Sequence, residues 1–494
     1  MNPAPFDATS GWWSALRVTH RYLGMLICVP MLVWFLSGVV MMYVPYPRVG
    51  EQQRLRTLEP ISWQACCRFA ENVIDGNAFV VTARVENRAG QPALHVGTVD
   101  GRNVDVDLTK GTAIGTDAPR ARTIALDVAS RIIGPTVLVV DAEQIESDQW
   151  TIELAGQKPL FRFAFNDPKK TELYVSGMSG QVVLWTTATQ RFWNWLGAIP
   201  HWLYFAPLRK HAALWSQSLI WAAVFGTFLT ALGLYLGIAQ IKSGRSSCRG
   251  WLYWHHIAGL LFGVATLAWV ASGLISMNPW GLLAQRTDGA ARQRLAGPLP
   301  QWRDVRASLE NIRPRAEGLD AVSLVSTSFA EHLYWVAKRR DGTAIRLDAA
   351  GNAAVVSAAE LADAARRVAG SADVLQASML TEEDAYYVRN DDSFVLPVYR
   401  VILGDVDRTH HYIDPKTGAL VQQLDRNARW YRWLFAWHRL DFASWIRARP
   451  LWDVVMLVLL AGGLSLVAAG AYLAATRCRN DVMCLLRRFT GDRT

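Results

Sequence analysis

Spaced cysteine pairs are missing from this chain. Its 494 residues include six cysteines, and no two of them are separated by two residues. Without C-x-x-C or C-x-x-C-H, iron–sulfur ligation, a thioredoxin motif and covalently attached c-type haem have no support. Cys66 and Cys67 are adjacent, a spacing that rarely gives a strain-free bridge. There is also no G-x-G-x-x-G, so no nicotinamide domain is expected and any electron donor must be external. Charge is scarce too. At 19% charged and 51% hydrophobic, the chain is too apolar for a disordered or nucleic-acid-coating protein.

What the chain has is long apolar runs. Four of them, Val18–Tyr43, Trp215–Gln240, Trp251–Met277 and Leu451–Thr476, are 26 or 27 residues long and keep ionisable side chains near their ends. A membrane-spanning helix needs about 20 such residues, so four spans and a lipid bilayer partner are expected. The first run is too long for a signal-peptide core and passes into Val44-Pro45-Tyr46-Pro47 without a cleavage site, so it reads as an uncleaved span.

Basic residues set the orientation. The N-terminal tail carries +1, the loop with Lys242, Arg245 and Arg249 carries +3, and the C-terminal tail carries +3 of the formal +9. Positive short segments stay in the cytoplasm. Both termini are then inside and two large loops lie outside. The basic balance is a topology signal and gives no reason to expect a nucleic-acid partner. The resulting segments are 12–44, a first span; 45–190, an outer α+β region; 191–241, an interfacial helix and second span; and 242–250, a cytoplasmic loop. They continue with 251–277, a third span; 278–428, a second outer α+β region; 429–476, an interfacial helix and fourth span; and 477–494, a cytoplasmic tail.

The chain is a duplication. His20, Gly24, Trp34, Ser37, Gly38 and Met42 recur as His255, Gly259, Trp269, Ser272, Gly273 and Met277, at a constant offset of 235. His201, Trp215, Gly226, Gly233 and Tyr235 recur as His438, Trp452, Gly463, Gly470 and Tyr472, at a constant offset of 237. Since each half starts inside and returns, the halves form a parallel repeat about a pseudo-two-fold axis along the membrane normal. The shared glycines suit close helix approach. The outer loops look duplicated as well. Helix-like stretches open at Ser62-Trp63 and Gln301-Trp302, turns follow at Asp107…Gly111 and Asp348…Gly351, and second helices fall near 120–133 and 358–369. Each loop closes on a glycine turn, at Gly180 and at Gly418.

Of ten histidines, His95, His332, His410 and His411 fall in outer strands or turns and read as ordinary surface or strand-paired residues. The other six lie at the membrane. A lone interfacial histidine reads most simply as hydrogen-bonded at the headgroups. The repeat, however, keeps His20 with His255 and His201 with His438. It selects His255 over His256 and His201 over His211, which remain the alternatives. The first pair lies near the inner face and the second near the outer face, too far apart to share one metal across a core of about 30 Å. Each pair lacks the third ligand that zinc requires. Two axial imidazoles alone suit b-type haem, whose porphyrin supplies the other four nitrogens. The expectation is two haems b with His20, His255, His201 and His438 as axial ligands of the iron. Bis-imidazole haem has no open position and favours electron transfer. The aromatic segments Phe192–Phe205 and Trp430–Trp437 would wall the outer haem, or form an interfacial belt, or both.

The pattern Trp254-His255-His256-x-x-Gly259…Trp269…Ser272-Gly273…Ser276-Met277, with Pro200-His201-Trp202 and the Ile413–Gly418 turn, resembles the PepSY-associated transmembrane proteins. The resemblance covers about 12–478 and is strongest in the membrane repeat. It implies PepSY-like periplasmic modules on a Gram-negative inner-membrane protein, linked to iron uptake. It also implies a ferric-siderophore reductase, a haem-dependent oxidoreductase that reduces a ferric chelate in the periplasm and releases Fe(II). A quinol or cytosolic reductase would be the electron donor. The rivals are a transmembrane cytochrome b with another periplasmic acceptor, and a non-enzymatic PepSY binding or regulatory protein.

Overall fold

A computed structural model describes residues 11–69, 73–242, 249–389 and 394–490. Arg245 and Cys248 of the short basic loop, and the acidic and basic residues of the two extreme termini, lie outside the described residues. The chain forms two compact units. One is built from residues up to 46, 190–284 and from 430 onward, the other from 47–189 and 285–429.

The first unit is a bundle of four helices long and apolar enough to cross a membrane. They span Gly11–Met41, Ala212–Lys242, Trp251–Ser276 and Leu451–Thr490. In lipid, an isolated segment can satisfy its backbone groups only as a helix. Pro45 and Pro47 cannot extend the first helix. Pro450 opens the fourth, where Asp453 sits in the positive first turn and pairs with Arg449 at 3.0 Å. The first helix packs mainly against the second and fourth, and so does the third, which places first opposite third and second opposite fourth. Contacts obey the repeat. A Cβ at Gly226 would meet Val270, and one at Gly463 would overlap Phe35, the residue equivalent to Val270. Trp215 Nε1 donates to the Trp202 carbonyl at 2.7 Å, and its equivalent Trp452 donates to the Arg439 carbonyl at 2.8 Å.

Among the described residues, the second unit, called the outer unit after the two loops that build it, contains three antiparallel sheets. In chain order the strands are β1 Val80–Arg88, β2 Gln91–Thr98, β3 Asn103–Asp107, β4 Thr112–Ile114, β5 Val139–Ile145, β6 Leu160–Phe165, β7 Glu172–Ser176 and β8 Val182–Thr186. They continue with β9 Ser323–Phe329, β10 His332–Lys338, β11 Ala344–Leu347, β12 Val374–Leu380, β13 Val398–Leu403, β14 His410–Ile413 and β15 Leu420–Leu424. A seven-stranded sheet runs β11-β10-β9-β1-β2-β3-β4, and its centre joins the two outer segments through β1 and β9. Helix Trp302–Ala316 buries Val305, Leu309 and Ile312 against this sheet, in one core with Val85, Leu94 and Trp335. Sheets β5–β8 and β12–β15 each carry one helix, Ala118–Ile132 and Ala358–Ala369. Asp117 caps the first of these and Ser357, with Glu360 closing the capping box, caps the second.

Two expectations change here. The stretch after Ser62 is only a short turn, Trp63–Ala65, because Arg68 gives its N–H to the Leu108 carbonyl in the sheet rather than to a helix. Cys66 and Cys67, expected to stay unbridged, form a vicinal disulfide whose first cysteine belongs to the seven-stranded core.

Candidate functional site

The four repeat-selected histidines meet as two pairs. The His20 and His255 ring centroids lie 6.3 Å apart, and those of His201 and His438 lie 6.1 Å apart. His20 and His255 project from the first and third helices. His201 sits on the short helix Ala198–Trp202 ahead of the second span, and His438 near the end of helix Arg426–Arg439 ahead of the fourth. His201 approaches Gly38, eighteen residues beyond His20 on the first helix. At 1.5 Å per residue the two levels are therefore about 27 Å apart along that helix.

Each imidazole rests on a glycine from a neighbouring element. A Cβ at Gly233 would stand 2.7 Å from His20 Cε1, and one at the equivalent Gly470 would stand 3.0 Å from His255 Cε1. At the other level the matching distances are 3.9 Å from Gly38 to His201 and 3.4 Å from Gly273 to His438. The His-x-x-x-Gly glycines, Gly24 and Gly259, do not face imidazoles; they look toward Leu229 and Leu466. The glycine one helical turn from a histidine thus serves helix packing, and the ring is cradled from a neighbouring element.

Hydrogen bonding selects one ring nitrogen. His255 Nδ1 lies 3.1 Å from the Leu466 carbonyl. His20 faces the equivalent Leu229 carbonyl. His201 Nδ1 lies 3.0 Å from Ser37 Oγ. His438 Nδ1 lies 3.3 Å from Ser272 Oγ and 3.2 Å from the Trp269 carbonyl. With Nδ1 engaged by the helices, Nε2 is the atom available for ligation.

The donor set fits a bis-imidazole metal. Two imidazoles sharing one metal, with metal–nitrogen bonds of about 2 Å and about 1 Å from each ring nitrogen to its centroid, would have centroids about 6 Å apart. Among the described residues no group of three or more His, Cys, Asp or Glu side chains gathers as a metal site. Neither alternative histidine is a member of a facing pair. His256 lies beside Gly237, and His211 is exposed just before the second span.

The aromatic segments divide in two. Phe435 stacks on His438 at 5.5 Å with Tyr431 stacked behind it. Phe192, Trp193, Trp195, Trp430 and Trp437 face outward, as an interfacial belt would. Between the two levels, Phe35 meets Trp269 edge-on at 5.8 Å.

In the outer unit His95 pairs with buried Asp105 at 2.7 Å, His332 is exposed, and His410 and His411 are buried and strand-paired in β14. A narrow cleft there is lined by Arg54, Arg88 and Arg131. Each guanidinium already pairs with a carboxylate, Glu86, Asp105 and Asp127 respectively, so the cleft carries no uncompensated charge. Sequence reasoning missed the serines and the cradling glycines as parts of the site, although Ser37, Ser272, Gly233 and Gly470 all stand among the repeated residues. In comparisons with known proteins, no family model matches the chain and no curated protein matches it.

Proposed function

We propose that the two imidazole pairs hold two b-type haems and that the protein carries electrons across a bacterial inner membrane to a ferric chelate, most simply a Fe(III)-siderophore, in the periplasm. The observation that carries this reading is the double pairing. Four histidines chosen by internal repeat alone meet at 6.3 Å and 6.1 Å, on two levels of one bundle. A bound haem would supply one-electron chemistry without an open coordination position. The chain's own residues have complementary tasks. Glycines at 233, 470, 38 and 273 leave room for the rings, the Leu466 and Trp269 carbonyls and the two serines hold Nδ1, and the bundle excludes water.

In this reading the four helices form a parallel repeat about an axis along the membrane normal. Both termini face the cytoplasm, and two PepSY-like regions face the periplasm. One electron suffices for release, because hard oxygen chelators hold Fe(II) far less well than Fe(III). The donor is a quinol or a cytosolic reductase.

The test is a reduced-minus-oxidised spectrum with a pyridine haemochrome assay on purified protein, beside His20→Ala and His438→Ala. Two haems b per chain, one lost in each variant, is the expected result. A colourless wild type purified from haem-replete cells overturns the reading and leaves a PepSY-type binding protein as the better account. Reduction of a ferric-hydroxamate or ferric-catecholate complex by the dithionite-reduced protein then tests the acceptor.

A further inference from the structure

The two levels differ in what holds their imidazoles, and the difference lies in two buried hydroxyls. Ser37 and Ser272 are repeat equivalents, 1% and 3% exposed, on the first and third helices. Ser37 Oγ reaches the Val33 carbonyl and lies 3.2 Å from that of Trp34. Ser272 Oγ lies 3.0 Å from the Trp269 carbonyl. Each hydroxyl has one proton, and these helix carbonyls, which can only accept, take it. What each serine offers its histidine is a lone pair. His201 Nδ1 at 3.0 Å and His438 Nδ1 at 3.3 Å are therefore donors, each N–H held by a serine oxygen, with Nε2 left unprotonated. No hydroxyl serves the other level. His255 Nδ1 lies 3.1 Å from the Leu466 carbonyl, and His20 faces the equivalent Leu229 carbonyl.

Resting on the haem reading above, we infer that Ser37 and Ser272 are positioning residues that lower the reduction potential of the iron held by His201 and His438. An acceptor on Nδ1–H makes the imidazole a stronger electron donor through Nε2, which favours the ferric state. The two added serine acceptors make their level a stronger reductant than it would be without them. That suits the level nearer an oxygen-chelated Fe(III), a species hard to reduce. The serines touch neither the metal nor the chelate and act only through the histidines.

The test is a potentiometric titration of the full-length two-haem protein, followed in the visible bands and by low-temperature electron paramagnetic resonance. Ser37→Ala, Ser272→Ala, the double variant and the hydroxyl-retaining Ser37→Thr and Ser272→Thr are compared with wild type. One titrating component is expected to move upward in the alanine variants. In the double variant its ferrous-to-ferric ratio at fixed ambient potential should rise about tenfold, or ~59 mV for a one-electron couple. The second component should stay in place, the g-values of only one ferric species should change, and threonine should restore both. Loss of one haem from an alanine variant, recovered with threonine, also supports the assignment, since the same hydrogen bond is then needed to hold the ligand. Loss that threonine does not recover overturns it, as do alanine titrations that overlay wild type or shift both components together. A wild type without haem is a different failure and removes the proposed function itself.

Discussion

The bundle and the outer unit are both built twice, and they have kept different things. In the bundle the positions at the two histidine levels keep their side chains: histidine meets histidine, and each rests on an equivalent glycine. In the outer unit the repeated positions keep only the frame. β1–β3 and β9–β11 follow the same hairpin plan, and each leads through an aspartate turn to a capped helix and a four-stranded sheet. The chemistry inside that frame has been exchanged. The last residue of β1 is Arg88, ion-paired at 2.7 Å with buried Asp105 of β3. The last residue of β9 is Phe329. Where Asp105 stands two residues before the turn, β11 has Arg346, lying 4.0 Å above the Tyr334 ring and paired with Glu360. On the proposed reading, identity is retained where two copies would grip one haem between them. Where each copy has only to fold, any well-packed solution serves.

The sharpest way to break that comparison is at the cradling glycines. Gly233→Ala and Gly470→Ala place a methyl 2.7 Å and 3.0 Å from an imidazole carbon. On the proposed haem reading, haem retention at that level is expected to fall about 10- to 100-fold, the scale of lost supporting contacts at metal sites. Gly24→Ala and Gly259→Ala meet only leucine methyls at 3.9 Å and 3.5 Å and should retain both haems through the same washing series. If all four variants behave alike, the cradle has no special role.

Next in size is the outer exchange. Asp105→Ala leaves Arg88 buried without its carboxylate and should destabilise the outer unit by about 3–5 kcal/mol. Glu360→Ala leaves Arg346 its aromatic face and the Ala354 carbonyl at 2.8 Å, and should cost about 1–2 kcal/mol as a lost cap. Urea unfolding of the full-length protein, read by limited proteolysis of the outer unit, separates the two.

A smaller effect concerns pH. Burial pushes His410 and His411 from the ordinary value of 6.5 down to about 4. Arg429 and Arg400 act in the same direction on His410 and Asp384 opposes them, while Gln423 and Asp405 oppose the shift at His411. The folded unit then binds fewer protons than the unfolded chain between pH 6.5 and 4. Its stability should be full above pH 6.5 and decline as pH falls toward 4. The urea midpoint measured across that window should drop, and His411→Gln should flatten the drop. The smallest change expected is Ser357→Ala, which removes half of a capping box for about 1 kcal/mol.

Local pattern made much of this legible. The second and third apolar runs became helices within three residues of the expected ends, the first began seven residues early at Gly11, and the fourth began where expected, because composition and length decide them. The fourth continues from Thr476 to Thr490, where hydropathy ends but helix-forming residues and an Arg477–Asp481 pair at 3.1 Å carry it on. The histidine pairs were legible because register, unlike a lone histidine, carries information about partnership. The serines were visible as identities and silent as contacts, since nothing in a sequence says which neighbour a hydroxyl faces. The β1–β9 pairing had no local signal at all.

That pairing has a consequence for how the protein is made. Ser323 Oγ, at the start of β9, bonds Glu86 of β1, a partner 237 residues away in sequence. At about 5–20 residues per second of synthesis, β9 emerges about 10–50 s after β1. Until then β1, which ends as the middle strand of a seven-stranded sheet, is an open edge with unpaired N–H and C=O groups. Another nascent copy arriving at the same place offers the same β9, so crowded synthesis favours exchange of strands between chains. The strand that unites the finished outer unit is also the one that needs a guardian while the chain is being made.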